Sequence, residues 1–403
     1  MPPAGSPTSI KNLAQMLKSQ ALSLFANQAG RDQNLVLTEM MSDFTGARYC
    51  YFMNSGRAAL SVILNALSFG IRHNKVEVVI PAYTCFTVAA AIARCGLKIK
   101  PVDIDPSTLD YDYDRLRRLD RKRVLAIVGC NMFGILNNWS ELHSFAKTCD
   151  VFLIDDAAQS MGSSIDGKSS GTFGDAGFYS LGRGKNLSAY SGGIVVTNDE
   201  AVNDNLLKEI DLLGDPGPTK EAGAFIKIVL AALFLRPRLY WLPASLPFLG
   251  IGETHFEPDF SIDKLTRMQI DMVIAKLNEL ETINSIRINN ARRLAMGLIE
   301  STRFQIPGWA QDRKTIYLRL PVLCADAGQR NRAIQLLRKQ GISASPMYPS
   351  SIRRIPGIEP YLADMADDFI GAESVVNRLL TLPTHPYLTA AHVKNILSCL
   401  NKL

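Results

Sequence analysis

Between residues 49 and 198, short runs of β-branched and apolar residues alternate with longer stretches whose apolar positions recur every three to four residues. The short runs predict strands at 49–53, 76–81, 99–104, 124–130, 151–155, 176–181 and 193–197. The longer stretches predict helices at 55–69, 84–95 and 139–148. Such alternation predicts an α/β domain with a mainly parallel central sheet, flanking helices and right-handed crossovers. Ligands of such sheets sit beyond the carboxyl ends of the strands.

Farther on, Val273, Leu277, Leu280 and Ile283 fall at helical spacing, which predicts one long amphipathic helix over 263–299. It links the large domain to a smaller C-terminal α+β domain with a strand at 317–322, a helix at 331–340, a loop at 346–355 and a last helix at 389–400. The expected division is an N-terminal extension and helix (1–34), a large α/β domain (35–260) and the linking helix with the small domain (261–403). No internal repeat or low-complexity segment is visible.

An apolar insertion at 223–252 breaks the pattern. Its core, 225–250, carries Ile226, Val229, Leu230, Leu233 and Phe234, then Leu239, Tyr240, Trp241 and Leu242, but Arg236, Pro237, Arg238, Pro243 and Pro247 interrupt it. A bilayer span needs about 20 uninterrupted apolar residues. Two readings stay open: a helical hairpin packed on its own domain or on a second subunit, and an interfacial patch that brings the protein to a membrane surface with Arg and Trp at headgroup level.

The chain has 403 residues, 47% hydrophobic and 20% charged, enough for a large core and two domains. Its seven cysteines are scattered without a CxxC pair, as expected of reduced thiols in a cytosolic protein; no His/Cys cluster has metal-ligand spacing. The net charge of +6 suits small anionic substrates. No basic run interleaved with aromatics suggests nucleic acid, and the N-terminus lacks the pattern of a secretory signal.

The chemistry concentrates in two segments. Asp155-Asp156-Ala157-Ala158-Gln159-Ser160 follows the buried run Val151–Ile154, so a carboxylate emerges at a strand end, and only one of the two adjacent acids points into a site there. Ser180-Leu181-Gly182-Arg183-Gly184-Lys185-Asn186 puts a lone lysine in a Gly-rich loop after another strand. An acid and an amine so placed suit pyridoxal phosphate: the acid keeps the pyridine nitrogen protonated and the amine forms a Schiff base with the aldehyde. The alternatives are a turn-capping aspartate and a surface lysine. Nucleotide loops fail, because Asn186 stands where a P-loop needs Ser or Thr and Leu187 where a dinucleotide loop needs glycine. Gln159 is a candidate neighbour of the ring's 3-oxygen. Ser55-Gly56-Arg57 opens a helix directly after a strand and is either a plain N-cap or a phosphate site, with Ser180 a second phosphate donor. Tyr83 and Phe86, at the end of the second strand, are alternatives for stacking on a flat ring, with core packing the equal alternative for each.

Together these segments resemble the DegT/StrS family of sugar aminotransferases, which have the fold type I architecture. The resemblance is carried in order by Asn54-Ser55-Gly56-Arg57-Ala58-Ala59-Leu60, Val79-Ile80-Pro81-Ala82-Tyr83-Thr84, Pro101-Val102-Asp103-Ile104-Asp105-Pro106 and Asp155-Asp156-Ala157-Ala158-Gln159. It continues through Gly171-Thr172-Phe173-Gly174-Asp175, Lys185-Asn186-Leu187, Gly192-Gly193-Ile194-Val195-Val196-Thr197 and Leu380-Thr381-Leu382-Pro383-Thr384-His385-Pro386. It implies that Lys185 carries the cofactor, that Asp156 pairs with the pyridine nitrogen, that Gln159 lies by the ring, and that Ser180, Gly56 and the Arg57 amide hold the phosphate. It further implies a cytoplasmic homodimer with the site at the subunit interface. The reaction implied moves an amino group from glutamate to a nucleotide-linked keto sugar, for polysaccharide or glycoconjugate synthesis.

The chain departs from the family pattern at several places. Arg57 replaces a small hydroxyl residue, Cys85 stands where an aromatic often covers the ring, and Asn131 and Met161 stand where histidines are common. The aromatic-Asn-aromatic segment by which a neighbouring subunit reaches the phosphate is not recognisable around 260–265. Two alternatives therefore accompany the transaminase reading. One is a sugar dehydratase, a branch that carries histidine in place of the lysine; the other is a non-catalytic binding or regulatory protein of the same fold.

Overall fold

The computed structural model describes residues 5–25, 32–70, 74–234, 254–299, 303–309, 314–364 and 367–403. A seven-stranded sheet forms the centre, built from β1 (Tyr49–Met53), β2 (Glu77–Pro81), β3 (Lys98–Val102), β6 (Val124–Cys130), β7 (Phe152–Asp156), β10 (Ala176–Ser180) and β11 (Gly193–Thr197). The two-residue strands β4 (Ile104–Asp105), β5 (Asp110–Tyr111), β8 (Ser164–Ile165) and β9 (Lys168–Ser169) form separate small ladders.

The order across the sheet is β1-β11-β10-β7-β6-β2-β3. Pairs from β10 to β3 are parallel, whereas β11 is antiparallel to both β10 and β1. One strand of the seven therefore runs against the other six. Every residue of β6 is buried, as expected of a central strand covered on both faces. Helices α3 (Gly56–Ser68) and α4 (Phe86–Arg94) present alanine- and leucine-rich faces to the largest apolar cluster, with Ala59, Leu60, Ile63, Ala89 and Ile92 fully buried.

Two N-terminal helices, α1 (Ile10–Phe25) and α2 (Gln33–Thr45), precede the sheet. Helices α5 (Tyr113–Arg117), α6 (Trp139–Cys149) and α7 (Glu200–Asp211) follow in order. The first arm of the apolar insertion is α8 (Pro218–Phe234), whose Ile228 and Ala232 are buried while Ile226, Leu230 and Leu233 are exposed. Residues 235–253, the rest of that insertion, lie outside the described residues. Among the described residues no helix is long and apolar enough to cross a membrane.

The single helix expected over 263–299 is two helices, α9 (Arg267–Leu277) and α10 (Leu280–Ile299). A capping box between Thr266 and Gln269 sets the start, and Asp263 instead binds Lys220 and Asn54. Asn278 caps the first helix and the Glu279 amide bonds back to Lys276, which breaks the run. In the C-terminal part β12 (Arg319–Leu323) pairs antiparallel with β13 (Leu379–Pro383). Neither β13 nor the helix before it, Ile370–Arg378, was read from the sequence. β13 joins helices Ala327–Lys339 and Ala390–Leu400 around a separate apolar cluster that includes Leu320, Leu337, Leu382 and Ile396, whereas the helix Ile370–Arg378 packs Ala372 and Val375 into the largest cluster.

Candidate active site

β7 ends on two carboxylates that alternate across the sheet as a strand requires. Asp155 is fully buried and accepts hydrogen bonds from the Asn131 side chain at 2.7 Å, the Gly171 amide at 2.6 Å and the Phe173 amide at 3.1 Å. Burial outweighs those donors and pushes its carboxyl up to about 7. Asp156 turns the other way, into a cavity of about 240 Å³ at the carboxyl ends of the strands. Burial raises its carboxyl, opposed by the Ala158 amide at 2.9 Å and by the Lys185 amine.

Lys185 reaches the same cavity from the β10–β11 connection. The loop is closed by bonds from Leu181 N to Gly192 O and from Ala189 N to Leu181 O, and it turns through Gly184, whose φ of +76° suits glycine. Desolvation lowers the Lys185 amine below its ordinary value, against the opposing pull of Cys85 and Asp156. An amine so lowered spends more of its time neutral, the form that attacks a carbonyl.

The far end of the cavity is the start of α3. Ser55 caps that helix, its Oγ accepting from the Ala58 amide at 3.1 Å, so the Ser55 side chain serves as an N-cap. The Gly56 and Arg57 amides precede the first intrahelical bond, Ala59 N to Ser55 O, and form a potential anion cradle with the Ser180 hydroxyl. A Cβ at Gly56 would stand 3.0 Å from Ser180 Cβ, so helix and strand approach closely here and a side chain would press on Ser180. The Arg57 side chain is drawn aside: its guanidinium lies 4.4 Å from the Phe260 ring centre and 3.7 Å from a Glu257 carboxylate oxygen.

Gln159 also lines the cavity, with its amide held at both ends. Its Oε1 accepts from the Phe133 amide at 3.2 Å and its Nε2 donates to Tyr348 Oη at 3.2 Å. Tyr83 and Phe86 are not among the lining residues; both pack on Tyr348, at ring-centre distances of 5.5 and 6.2 Å. The wall between them is Cys85, whose Sγ lies 3.0 Å from Thr87 Oγ1. Tyr348 was missed by the sequence reading: it comes from a turn in the 346–355 loop with no hydrophobic period to mark it.

The structure thus gathers Ser55, Gly56, Arg57, Asp156, Gln159, Ser180 and Lys185 around one cavity, with Tyr83 and Phe86 one layer away. An amine, a buried acid and the start of α3 around one cavity fit a flat, phosphate-bearing pyridine aldehyde.

Comparison with known proteins agrees. The sequence profile of the DegT/DnrJ/EryC1/StrS aminotransferase family matches residues 6–401. GDP-perosamine synthase of Caulobacter vibrioides is 25% identical over 371 residues, covering 90% of this chain and 87% of that protein. UDP-2-acetamido-2-deoxy-3-oxo-D-glucuronate aminotransferase of Pseudomonas aeruginosa is 25% identical over 367 residues, covering 90% and 89%. The solved structure of GDP-4-keto-6-deoxy-D-mannose-3-dehydratase of E. coli with bound hydrated PLP superposes with a TM-score of 0.78 at 20% identity, over 99% of this chain and 98% of that one. That likeness shows the fold.

Proposed function

The chain belongs to the DegT/DnrJ/EryC1/StrS aminotransferase family, and from that premise we propose that it moves an amino group from an amino acid, glutamate in the first instance, to a nucleotide-linked keto sugar. It is a PLP-dependent aminotransferase of fold type I. Bound at this cavity, the cofactor supplies an aldehyde for the amino group and a protonated ring that withdraws electrons from the substrate's Cα.

The chain's own residues do the rest in this reading. Lys185 would hold the cofactor through its amine and, once freed by the amino donor, would move a proton from the donor's Cα to the cofactor. The Asp156 carboxylate keeps the ring nitrogen protonated, and Gln159 sits beside the ring. The Gly56 and Arg57 amides and the Ser180 hydroxyl take the phosphate. Cys85 forms one wall of the ring site. A second copy of the chain completes the phosphate end, and the exposed stripe Ile226, Leu230 and Leu233 brings the enzyme near a membrane surface.

The placement of Lys185 and Asp156 in a single cavity carries the reading. The names of the two curated relatives support a nucleotide-linked sugar as acceptor. Likeness to a sugar dehydratase favours a second reading, but Lys185 stands where that branch carries histidine. Incubation with glutamate and a panel of nucleotide keto sugars, read by mass spectrometry, decides between them. Release of 2-oxoglutarate with a sugar gaining an amino group supports transamination. A deoxygenated sugar without added nitrogen supports dehydration, and no turnover supports the non-catalytic alternative.

A further inference from the structure

The loop that carries Lys185 is pinned from its other side by a second lysine. Lys276, in α9, is 1% exposed and has three oxygen neighbours at hydrogen-bond distance: Ser188 O at 2.8 Å, Thr8 Oγ1 at 3.2 Å and Ser6 Oγ at 3.3 Å. Ser188 lies three residues beyond Lys185 in the same loop. Ser6 and Thr8 belong to the segment that precedes α1, and they touch the loop themselves. Ser6 Oγ donates to Asn186 O at 3.4 Å, and Thr8 Oγ1 lies 2.6 Å from the Tyr190 hydroxyl. Tyr190 in turn holds a φ of +66°, a left-handed conformation that packing must maintain in a non-glycine residue.

An ammonium has three N–H donors and no acceptor. Three oxygens, two of them hydroxyls free to donate onward to Asn186 O and Tyr190 Oη, match that form. A neutral amine offers two donors and an unshared pair, so one hydroxyl must turn round to donate to it, and a charge-assisted bond is exchanged for a weaker neutral one. We propose that Lys276 is a positioning residue, whose ammonium clamps the Lys185 loop to the N-terminal segment 5–9 and so fixes where the Lys185 amine stands.

The charged and titratable groups acting on Lys276 among the described residues are few. Glu279, one turn on, favours its charge; Arg287 of α10 opposes it; the Tyr190 ring lies 5.8 Å away. The N-terminal segment contributes only hydroxyls at this point. No charge in that segment offsets the burial, which pulls the Lys276 amine down to about 7. The clamp is therefore complete below neutrality and loses a donor as pH rises through that value.

The role rests on the reading of Lys185 as the cofactor lysine, but its test does not. Amide hydrogen exchange on the full chain, corrected for the intrinsic pH dependence, is compared at pH 6 and pH 8.5. Protection of 182–192 is expected to fall about tenfold at the higher pH in the wild type, the scale of one charged hydrogen bond. Protection of β6 serves as reference and stays constant. In Lys276→Met the loop is expected to be equally unprotected at both pH values. A wild-type loop with flat protection, or Lys276→Met retaining the wild-type fall, overturns the proposal. If Lys276→Met does not fold, Thr8→Val decides instead: it must lower loop protection at pH 6, and unchanged protection overturns the clamp. Borohydride tagging of Lys185 is read separately. Its failure removes the cofactor reading and leaves the exchange result standing, and the converse holds equally.

Discussion

Asp155 and Asp156 are adjacent in the chain yet serve opposite sides of β7. Asp155 is consumed by three hydrogen bonds from Asn131, Gly171 and Phe173, whereas Asp156 faces the cavity that Lys185 also lines. The first acid organises the loop that follows β9, and the second is available for chemistry.

Replacing Asp156 with Asn is expected to leave the fold intact and slow exchange of the amino donor's α-hydrogen with solvent by roughly 10²–10³-fold, the usual weight of one electrostatic contact that stabilises developing charge. Solvent-exchange NMR on glutamate measures this directly. Unchanged exchange rejects the role given to Asp156.

Asp155→Ala strands the Gly171 and Phe173 amides in the interior. The expected cost is about 2–4 kcal/mol, read from the urea midpoint, because each orphaned donor keeps its desolvation penalty. The titration of Asp155 gives a second check. Its folded value of about 7 lies above the ordinary 3.8, so between those values the native state binds more protons than the unfolded chain. Stability of the wild type relative to Asp155→Asn should therefore fall as pH rises from 4 to 7, by a limit on the order of 4 kcal/mol at about 1.36 kcal/mol per unit.

Lys185→Ala is expected to abolish the visible absorbance of the purified protein and the borohydride-stable cofactor adduct on the peptide containing residue 185. Loss of activity by at least about 10³-fold accompanies it, since in the proposed mechanism the amine both anchors the cofactor and moves the proton. An adduct on another lysine contradicts the assignment.

Gly56→Ala drives a methyl group to 3.0 Å from Ser180 Cβ and 3.2 Å from its hydroxyl. Ser180 or the helix start must give by a few tenths of an ångström, and cofactor affinity should weaken about tenfold, which corresponds to some 1.4 kcal/mol. Equilibrium titration with pyridoxal phosphate measures the shift, and an unaltered dissociation constant removes this end of the cavity from the phosphate site.

Ile226, Leu230 and Leu233 form an exposed stripe at i, i+4 and i+7 on α8. Changing all three to Ser should reduce sedimentation with anionic liposomes if the stripe meets a membrane surface, and should leave turnover of a water-soluble substrate alone. Absence of wild-type sedimentation dismisses membrane contact.

The central sheet was legible because its strands are short, β-branched and buried, and because Gly and Pro punctuate them. β1, β6 and β11 have the same ends in the sequence reading and in the structure. The acid at a strand end and the lysine in the loop after another strand were legible as neighbours, and both line one cavity. The ring wall was not: Cys85 is the N-cap of α4 with extended backbone, and that local geometry, invisible to composition, decides that its side chain and not those of Tyr83 or Phe86 lines the cavity. Tyr348 arrives from a loop 189 residues beyond Gln159 in sequence, a separation that no local pattern encodes. The break at Asn278 was hidden because Leu277 and Leu280 keep helical spacing through it and are both buried.

The reversal of β11 has an engineering corollary. Because the chain leaves β10 and returns beside it, the segment 181–192 is a tether anchored at both ends that limits how far Lys185 can stray from the end of β7 where Asp156 stands. Extra residues spliced into that tether would let the amine wander, whereas splices at the far rim of the sheet would be invisible to it. Diversification of this scaffold is thus channelled away from the return loop.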